Sequence, residues 1–229
     1  AIPSQSISFR LAPRLNAAGR LDRPEVSLEL LLTKDPRRAE TIAAELEGMN
    51  RKRQSLTEEL LVRALEEVKA RRMDEEHFIF LGGREYFSGV SGLVAARLAE
   101  LFYRPALVLE VGEEFSRGSA RSIPEFNLVA ALEGCQDHLT RFGGHAMAAG
   151  VTLPSENVGK LEEALKVIAD QELSGQSLLS ALSIDAELPL EKLTPEIYPV
   201  LEELAPFGEG NPEPLFLARD VEVRDGRQV

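Results

Sequence analysis

From Asp35 onward, apolar side chains recur in steps of three, four and seven: Ala39, Ile42, Leu46, Met49, Leu56, Leu60, Ala64 and Val68. That spacing keeps one apolar stripe on one side of an α-helix and predicts a helix from Asp35 to about Arg72. Asp35 is an N-cap type residue, and Pro36 suits the first turn because proline lacks only a donor that is unused there. At 1.5 Å per residue the helix runs roughly 55 Å, long enough to bridge two domains. Gly48 and Asn50 are poor helix formers near its middle, where a bend is expected.

Beyond the bridge the pattern changes. HFIFL, residues 77–81, reads as a short buried strand ended by Gly82 and Gly83. VSGLVAARLAELF, residues 90–102, carries Leu93, Val94, Leu98 and Leu101 at helical spacing. PALVLEVG and FSRGSARSI follow as strands, FNLVAALEGC as a helix, AAGVTL as a fourth strand and ENVGKLEEALKVIADQEL as another amphipathic helix. This alternation predicts a layered α/β domain with a mixed sheet, from about residue 74 to 173.

The tail is of another kind. LSIDAELPL is strand-like, and Thr194 with Pro195 starts a short helix to about Leu204. PFGEGNPEP is a loop dense in Gly, Pro and Asn, after which LFLARDVEVRDGRQV alternates as a strand entering a turn. These features suggest the opening of a β-rich unit.

At 229 residues and 44% hydrophobic composition, the chain has material for one large core or two modest ones. No apolar run approaches the roughly 20 residues that cross a bilayer, so a membrane span is excluded and the protein is read as soluble. Cys135 is the single cysteine, which forbids an internal disulfide and favours a reducing compartment. AIPSQSISFR lacks the features of a secretory signal, giving a cytoplasmic reading. A start without Met and a stop in RDGRQV suggest a segment of something longer. The net charge of -12 argues against a generally basic nucleic-acid coat. Yet residues 1–55 hold ten Lys or Arg against seven Asp or Glu, leaving -15 for the remainder. An acidic protein with a basic end can still bind a polyanion in one channel.

Four segments set glycine beside polar or basic residues: PRLNAAGRLDRP with Arg14, Arg20 and Arg23, then YFSGVSG, RGSARS and FGGHAMAAG. Each suits an anion. Glycines let backbone N–H groups approach a phosphate, a helix start adds partial positive charge, and arginine offers a two-pronged donor set. Ser119 and Arg121, two apart on one strand, share a face. The plainer readings are turns and close packing for the glycines, a hydrogen-bonded structural residue for His145, and a solvated helix face for Arg51, Lys52 and Arg53. His77 and His138 stand without company. No cysteine pair, HExxH, Asp and His grouping or GxxxxGK[ST] loop is present. Read from its residues alone, the chain binds an anion and has no means of cleaving it.

In order, PRLNAAGRLDRP, GVSGLVAARLAE, GSARSI, FGGHAMAAG and PFGEGNPEPLF resemble successive motifs of the RecJ family, single-strand-specific DNA exonucleases of the DHH phosphoesterase superfamily. The resemblance covers essentially the whole chain. It implies the end of a catalytic DHH domain at 1–33, an interdomain helix at 34–73, a DHH-associated substrate-binding domain at 74–173 and the start of an oligonucleotide-binding barrel (OB fold) at 174–229. It assigns Arg20, Ser119 and Arg121 to the 5′-terminal phosphate, with Arg14 and Ser122 among the phosphate-binding residues. Gly143, Gly144 and His145 would line the cleft facing the metal centre, His145 touching the scissile phosphate as the one catalytic contact.

The reaction so implied is two-metal hydrolysis in DNA repair and recombination. Its Mn or Mg would be held by DHH residues outside this chain, which binds none itself and is expected to be inactive alone. Single-stranded DNA is the implied partner, with a single-strand-binding protein as a further candidate. One departure stands out: Tyr86 and Phe87 occupy the place where the family commonly has Trp-His. The competing readings are a DHH phosphodiesterase for short oligonucleotides or cyclic dinucleotides, and a non-catalytic module for a protein partner.

Overall fold

The computed structural model describes residues 4–208 and 210–222. Residues 12–179 form one compact unit; the described residues before Ala12 and after Leu179 group into a second. In that smaller unit α1 (Ser4–Ser6) is one short turn, continued in π form over Ile7–Leu11.

The larger unit opens with α2 (Ala12–Leu21) and α3 (Glu25–Leu32), both packed on α4 (Pro36–Ala70). The predicted start of α4 is observed: the Asp35 carboxylate accepts from the Arg37 amide at 3.0 Å, with Pro36 in the first turn. Its 35 residues run about 52 Å at the α-helical rise. The stripe serves two apolar clusters. Ile42 and Leu46 pack with Ala18 of α2, whereas Leu60, Ala64 and Val68 join the core of the α/β layers. The helix runs unbroken through Gly48 and Asn50, which lie between these two anchorages.

The layers comprise β1 (Ile79–Gly83), α5 (Ser88–Phe102), β2 (Ala106–Glu110), β3 (Phe115–Arg121), α6 (Leu128–Gly134), β4 (Arg141–His145), β5 (Ala148–Pro154) and α7 (Val158–Leu173). The sheet is mixed, in the order β1-β2-β3-β5-β4. The β1–β2 pair is parallel, joined through α5, and every other pair is antiparallel. Strand alternation divides the core between the two faces. Phe80, Leu107, Leu109, Ala120, Ala149 and Val151 pack with residues of α6 and α7. Ile79, Leu81, Ala106 and Val108 meet α5 and the end of α4. Each large apolar side chain so buried contributes about 1.5 to 3 kcal/mol.

Two sequence expectations are corrected. Gly82 and Gly83 do not end β1 but belong to it, because Gly83 pairs with Glu110 and its carbonyl accepts from the Val111 amide at 2.9 Å. PRLNAAGRL is helical, so Gly19 sits within α2. FGGHAMAAG forms the facing ends of β4 and β5, so that β4 joins the expected AAGVTL strand and makes five strands where four were expected. Its two-residue connection, Ala146 and Met147, is held from outside. The Ala146 carbonyl accepts from Leu128 N and that of Met147 from Ser122 N, both at 3.0 Å.

In the smaller unit β6 (Ala186–Glu187) pairs in parallel with β7 (Phe216–Leu217), and α8 (Ile197–Glu202) lies between them in sequence. The expected strands there are thus only two residues long. The end of the expected final strand and turn, residues 223–229, lies outside the described residues.

Candidate nucleic-acid interface

Residues directly opposite in antiparallel strands share a face, so the pairing registers state which candidates come together. Val108 pairs with Ser119, Ser119 with Gly150, and Gly150 with Gly143. In the next row Ala106 pairs with Arg121, Arg121 with Ala148, and Ala148 with His145. Ser119, Arg121, Gly143 and His145 therefore belong to one face, the face on which α5 packs. Helix α5 lies over β2 and β3. Gly143, His145 and Gly150, on β4 and β5, are exposed.

The glycines of this region are of two kinds. A Cβ at Gly118 would collide with the Val108 carbonyl, and one at Gly144, where φ is +152°, with the Ala148 carbonyl. Close packing and backbone conformation demand glycine there. A Cβ at Gly143 would meet nothing within 4 Å, and one at Gly150 only the Gly118 carbonyl at 3.9 Å. The fold makes no internal demand for glycine at those two positions. Their effect is to leave bare backbone on the open side of the sheet, beside Ser119 and Arg121.

Arg20 reaches this face from the last turn of α2. Its Nη1 donates to the Gly89 carbonyl at 3.3 Å, and a Cβ at Gly89 would strike the Arg20 carbonyl. Glycine thus lets α2 rest directly on the first turn of α5. One turn further, a Cβ at Gly92 would lie 3.0 Å from Arg121 Nη2 and 3.3 Å from Ser119 Cβ. Arg121 is therefore pressed between β3 and α5, its Nη1 donating to the Ala120 carbonyl at 2.8 Å. Burial, and after it the charge of Arg20, lowers the pKa of Arg121. The group stays cationic all the same.

Arg53 of α4 shows the same two causes in the same order, burial and then Arg20. The reading of Arg51, Lys52 and Arg53 as one solvated face is thereby corrected for Arg53. Arg51 is exposed and paired with Glu47 at 3.0 Å, whereas the Nε of Arg53 is buried and has no hydrogen-bond partner. The sequence held a signal for this. Arg53 fills the step between Met49 and Leu56 in the apolar stripe of α4, where a cation is out of place.

Other candidates stand apart. Arg14 is paired with Glu47 at 2.6 Å, and the hydrogen bonds from Arg14 and then Arg51 hold the Glu47 carboxyl below the usual range. Ser122 has the parity of Ala120, is buried, and donates its hydroxyl to the Phe126 carbonyl at 2.7 Å. Gly144 pairs with Ala149, whose side chain belongs to the opposite, α6-covered core. The start of α5 in YFSGVSG is already filled, since the Ser88 amide donates to a Glu110 carboxylate oxygen at 2.9 Å. Tyr86 is fully buried and donates its hydroxyl to Glu67 Oε2 at 3.0 Å; burial first, and then the Glu67 charge, pushes its pKa up. It is part of the core and offers no stacking surface. Among the described residues no group of three or more His, Cys, Asp or Glu could hold a metal ion, and no helix is long and apolar enough to cross a membrane.

Residues 75–172 match the DHHA1 domain family and residues 184–229 the RecJ OB domain family. The single-stranded-DNA-specific exonuclease RecJ of Bacillus subtilis (strain 168) is 37% identical over 227 residues, covering 98% of this chain and 29% of that protein. Its counterpart in Thermus thermophilus is 36% identical over 211 residues, 92% of this chain and 30% of the relative. The crystal structure of the Thermus protein with Mg2+ matches with a TM-score of 0.82 at 33% identity, over 93% of this chain and 33% of that one. The Mn2+ complex gives 0.83 at 34% identity, over 93% and 31%. The chain thus spans less than a third of the length of these curated relatives.

Proposed function

The chain belongs to the RecJ family, and from that membership we propose that it is the phosphate-positioning part of a longer single-strand-specific 5′ to 3′ DNA exonuclease. One observation carries the reading: Arg121, Ala148 and His145 form a single cross-strand row on a sheet face that is open and glycine-floored at one end, with Arg20 beside Arg121. Arg20, Ser119 and Arg121 receive the 5′-terminal phosphate. The bare backbone at Gly143 and Gly150 lets the following sugar-phosphate chain lie close, and His145 contacts the phosphate to be cleaved. Directionality follows because a phosphate held between α2, α5 and β3 is an end and cannot continue.

Within this reading residues 1–33 close the DHH domain, 34–73 form the interdomain helix, 74–173 the DHH-associated domain and 174–229 the opening of the OB domain. Hydrolysis in the longer protein uses two divalent metals, Mn or Mg. Family membership assigns the metal ligands to DHH residues outside this chain, whose own residues bind and orient. The setting is cytoplasmic DNA repair and recombination, with a single-strand-binding protein as a candidate partner.

Competition between 5′-phosphorylated and 5′-hydroxyl single strands for the full-length protein tests the proposal. The phosphorylated strand is expected to bind better, and to lose its advantage in Arg20→Ala and Arg121→Ala. Equal binding of the two ends by the unmodified protein overturns it.

A further inference from the structure

We propose that Arg53, from the middle of α4, is a third arginine of the phosphate site, and that its charge fits the site to a doubly charged terminal phosphate over a singly charged internal phosphodiester. The inference rests on the reading above and adds to it a residue from the interdomain helix.

The first ground is the company Arg53 keeps. Glu47, also on α4, takes both Arg14 and Arg51, at 2.6 and 3.0 Å. Those cations share a carboxylate within the protein. Arg53 instead donates Nη2 to the Asn50 side-chain oxygen at 3.0 Å. Asn50 is itself almost wholly buried, at 3% exposure. A neutral amide orients a guanidinium without cancelling its charge, which suits a cation kept for something else.

The second ground is the donor left over. The Nε–H of Arg53 is buried and has no acceptor. A buried donor without a partner is destabilising, and the nearby charge of Arg20 adds repulsion. Arg121 meets the same neighbour. Arg20 therefore has a like charge on α4 and another on β3. Among the described residues no carboxylate pairs with any of the three. One anion among them relieves the repulsion and supplies the missing acceptor together.

The third ground is charge balance. A phosphodiester carries one negative charge, whereas a terminal phosphate carries about -1.5 to -2 at neutral pH and presents three strong acceptor oxygens. Three guanidiniums exceed what a diester neutralises and come closer to matching a terminal phosphate. Arg53 thereby contributes to telling an end from the interior of a strand.

The test uses the full-length protein and two otherwise identical thymidine oligonucleotides, one 5′-phosphorylated and one 5′-hydroxyl. Arg53→Gln is expected to bind the phosphorylated strand about tenfold or more weaker, the scale of one charge-assisted hydrogen bond, while the hydroxyl strand changes by less than about twofold on the same scale. Arg53→Lys, which keeps the charge but loses Nε and the planar fork, falls between. If Arg53→Gln is poorly folded by its melting temperature, Arg53→Met, which also removes the charge but keeps an unbranched side chain, carries the comparison, and an unchanged preference in it overturns the inference. Equal losses for both strands overturn it too, since they mark a general backbone contact. Loss of preference in Arg20→Gln and Arg121→Gln but not in Arg53→Gln refutes the third arginine and leaves the phosphate site standing. An unchanged preference in all three variants removes both.

Discussion

Arg121 and His145 stand two strands apart in one row of the sheet, each paired across the ladder with Ala148, which lies between them. Two strand spacings put them about 10 Å apart on the same face. Neither residue stands near the other in sequence, and no side chain larger than a methyl group lies on the strand between them.

Because Arg121 is pressed between β3 and α5 and has no carboxylate partner among the described residues, its removal costs the ligand more than it costs the fold. In the full-length protein Arg121→Ala is expected to weaken 5′-phosphorylated single strands by about 1.5 to 3 kcal/mol, the range of a hydrogen bond to a charged group. Titration of both kinds of end measures it, and equal losses for the two ends would count against the assignment.

The glycines separate packing from binding. Gly143→Ala and Gly150→Ala meet open space and should leave the melting temperature unchanged or raised, since alanine removes freedom from the unfolded chain. Both should nonetheless weaken single-strand binding. Gly144→Ala forces a side chain into the Ala148 backbone at positive φ and should lose about 1 to 3 kcal/mol of stability. Thermal melts paired with binding titrations distinguish the two classes. Stability losses at Gly143 and Gly150 comparable to that at Gly144 would show that packing sets all three.

Tyr86 gives a prediction in pH. In the fold its hydroxyl ionises at higher pH than the ordinary value near 10, because burial and the Glu67 carboxylate both oppose a phenolate. Above about pH 10 the unfolded chain releases that proton first, so stability falls as pH rises through this window. Tyr86→Phe should lose about 1 to 2 kcal/mol at neutral pH from the missing hydrogen bond, and should show a shallower decline on the alkaline side. Urea unfolding at pH 8, 10 and 11 reads both. A decline as steep as in the parent protein would assign it to other groups.

The 229-residue chain by itself should hydrolyse no single-stranded DNA with Mn or Mg, since the proposed reading assigns the metal-holding DHH residues to a part of the longer protein outside this chain. It should still bind 5′-phosphorylated single strands through its arginines. Turnover by a clean preparation refutes the first statement, and binding indifferent to Arg20→Ala refutes the second.

The elements that the sequence made legible are those in which local pattern and tertiary packing agree. The stripe of α4, its Asp35 cap, the alternation of strands and helices, and the shared face of Ser119 and Arg121 all follow from the helical and strand periods of about 3.6 and 2. AAGVTL was legible as the strand that became β5, but β4 and the hairpin joining the two did not show themselves. FGGHAMAAG has neither β-branched residues nor alternation, and its strands are specified by their neighbours on the sheet. Arg20 was visible as a basic residue near a glycine, but its helical setting was not, because Pro13 and Gly19 are poor helix formers that α2 accommodates. Arg53 was passed over because a run of three cations resembles a solvated face. Only its phase against Met49 and Leu56 separates it from Arg51 and Lys52.

The turn at Ala146 and Met147 is tied by its two carbonyls to Ser122 and Leu128, the first of which directly follows Arg121. The hairpin tip that carries His145 is therefore referenced, through main chain alone, to the very end of β3. A strand laid across this face is gauged against a ruler made of ladder hydrogen bonds, whose divisions do not shift when surface side chains change rotamer. In the proposed enzyme, the interval from the captured end to the contacted phosphate is a property of the sheet itself.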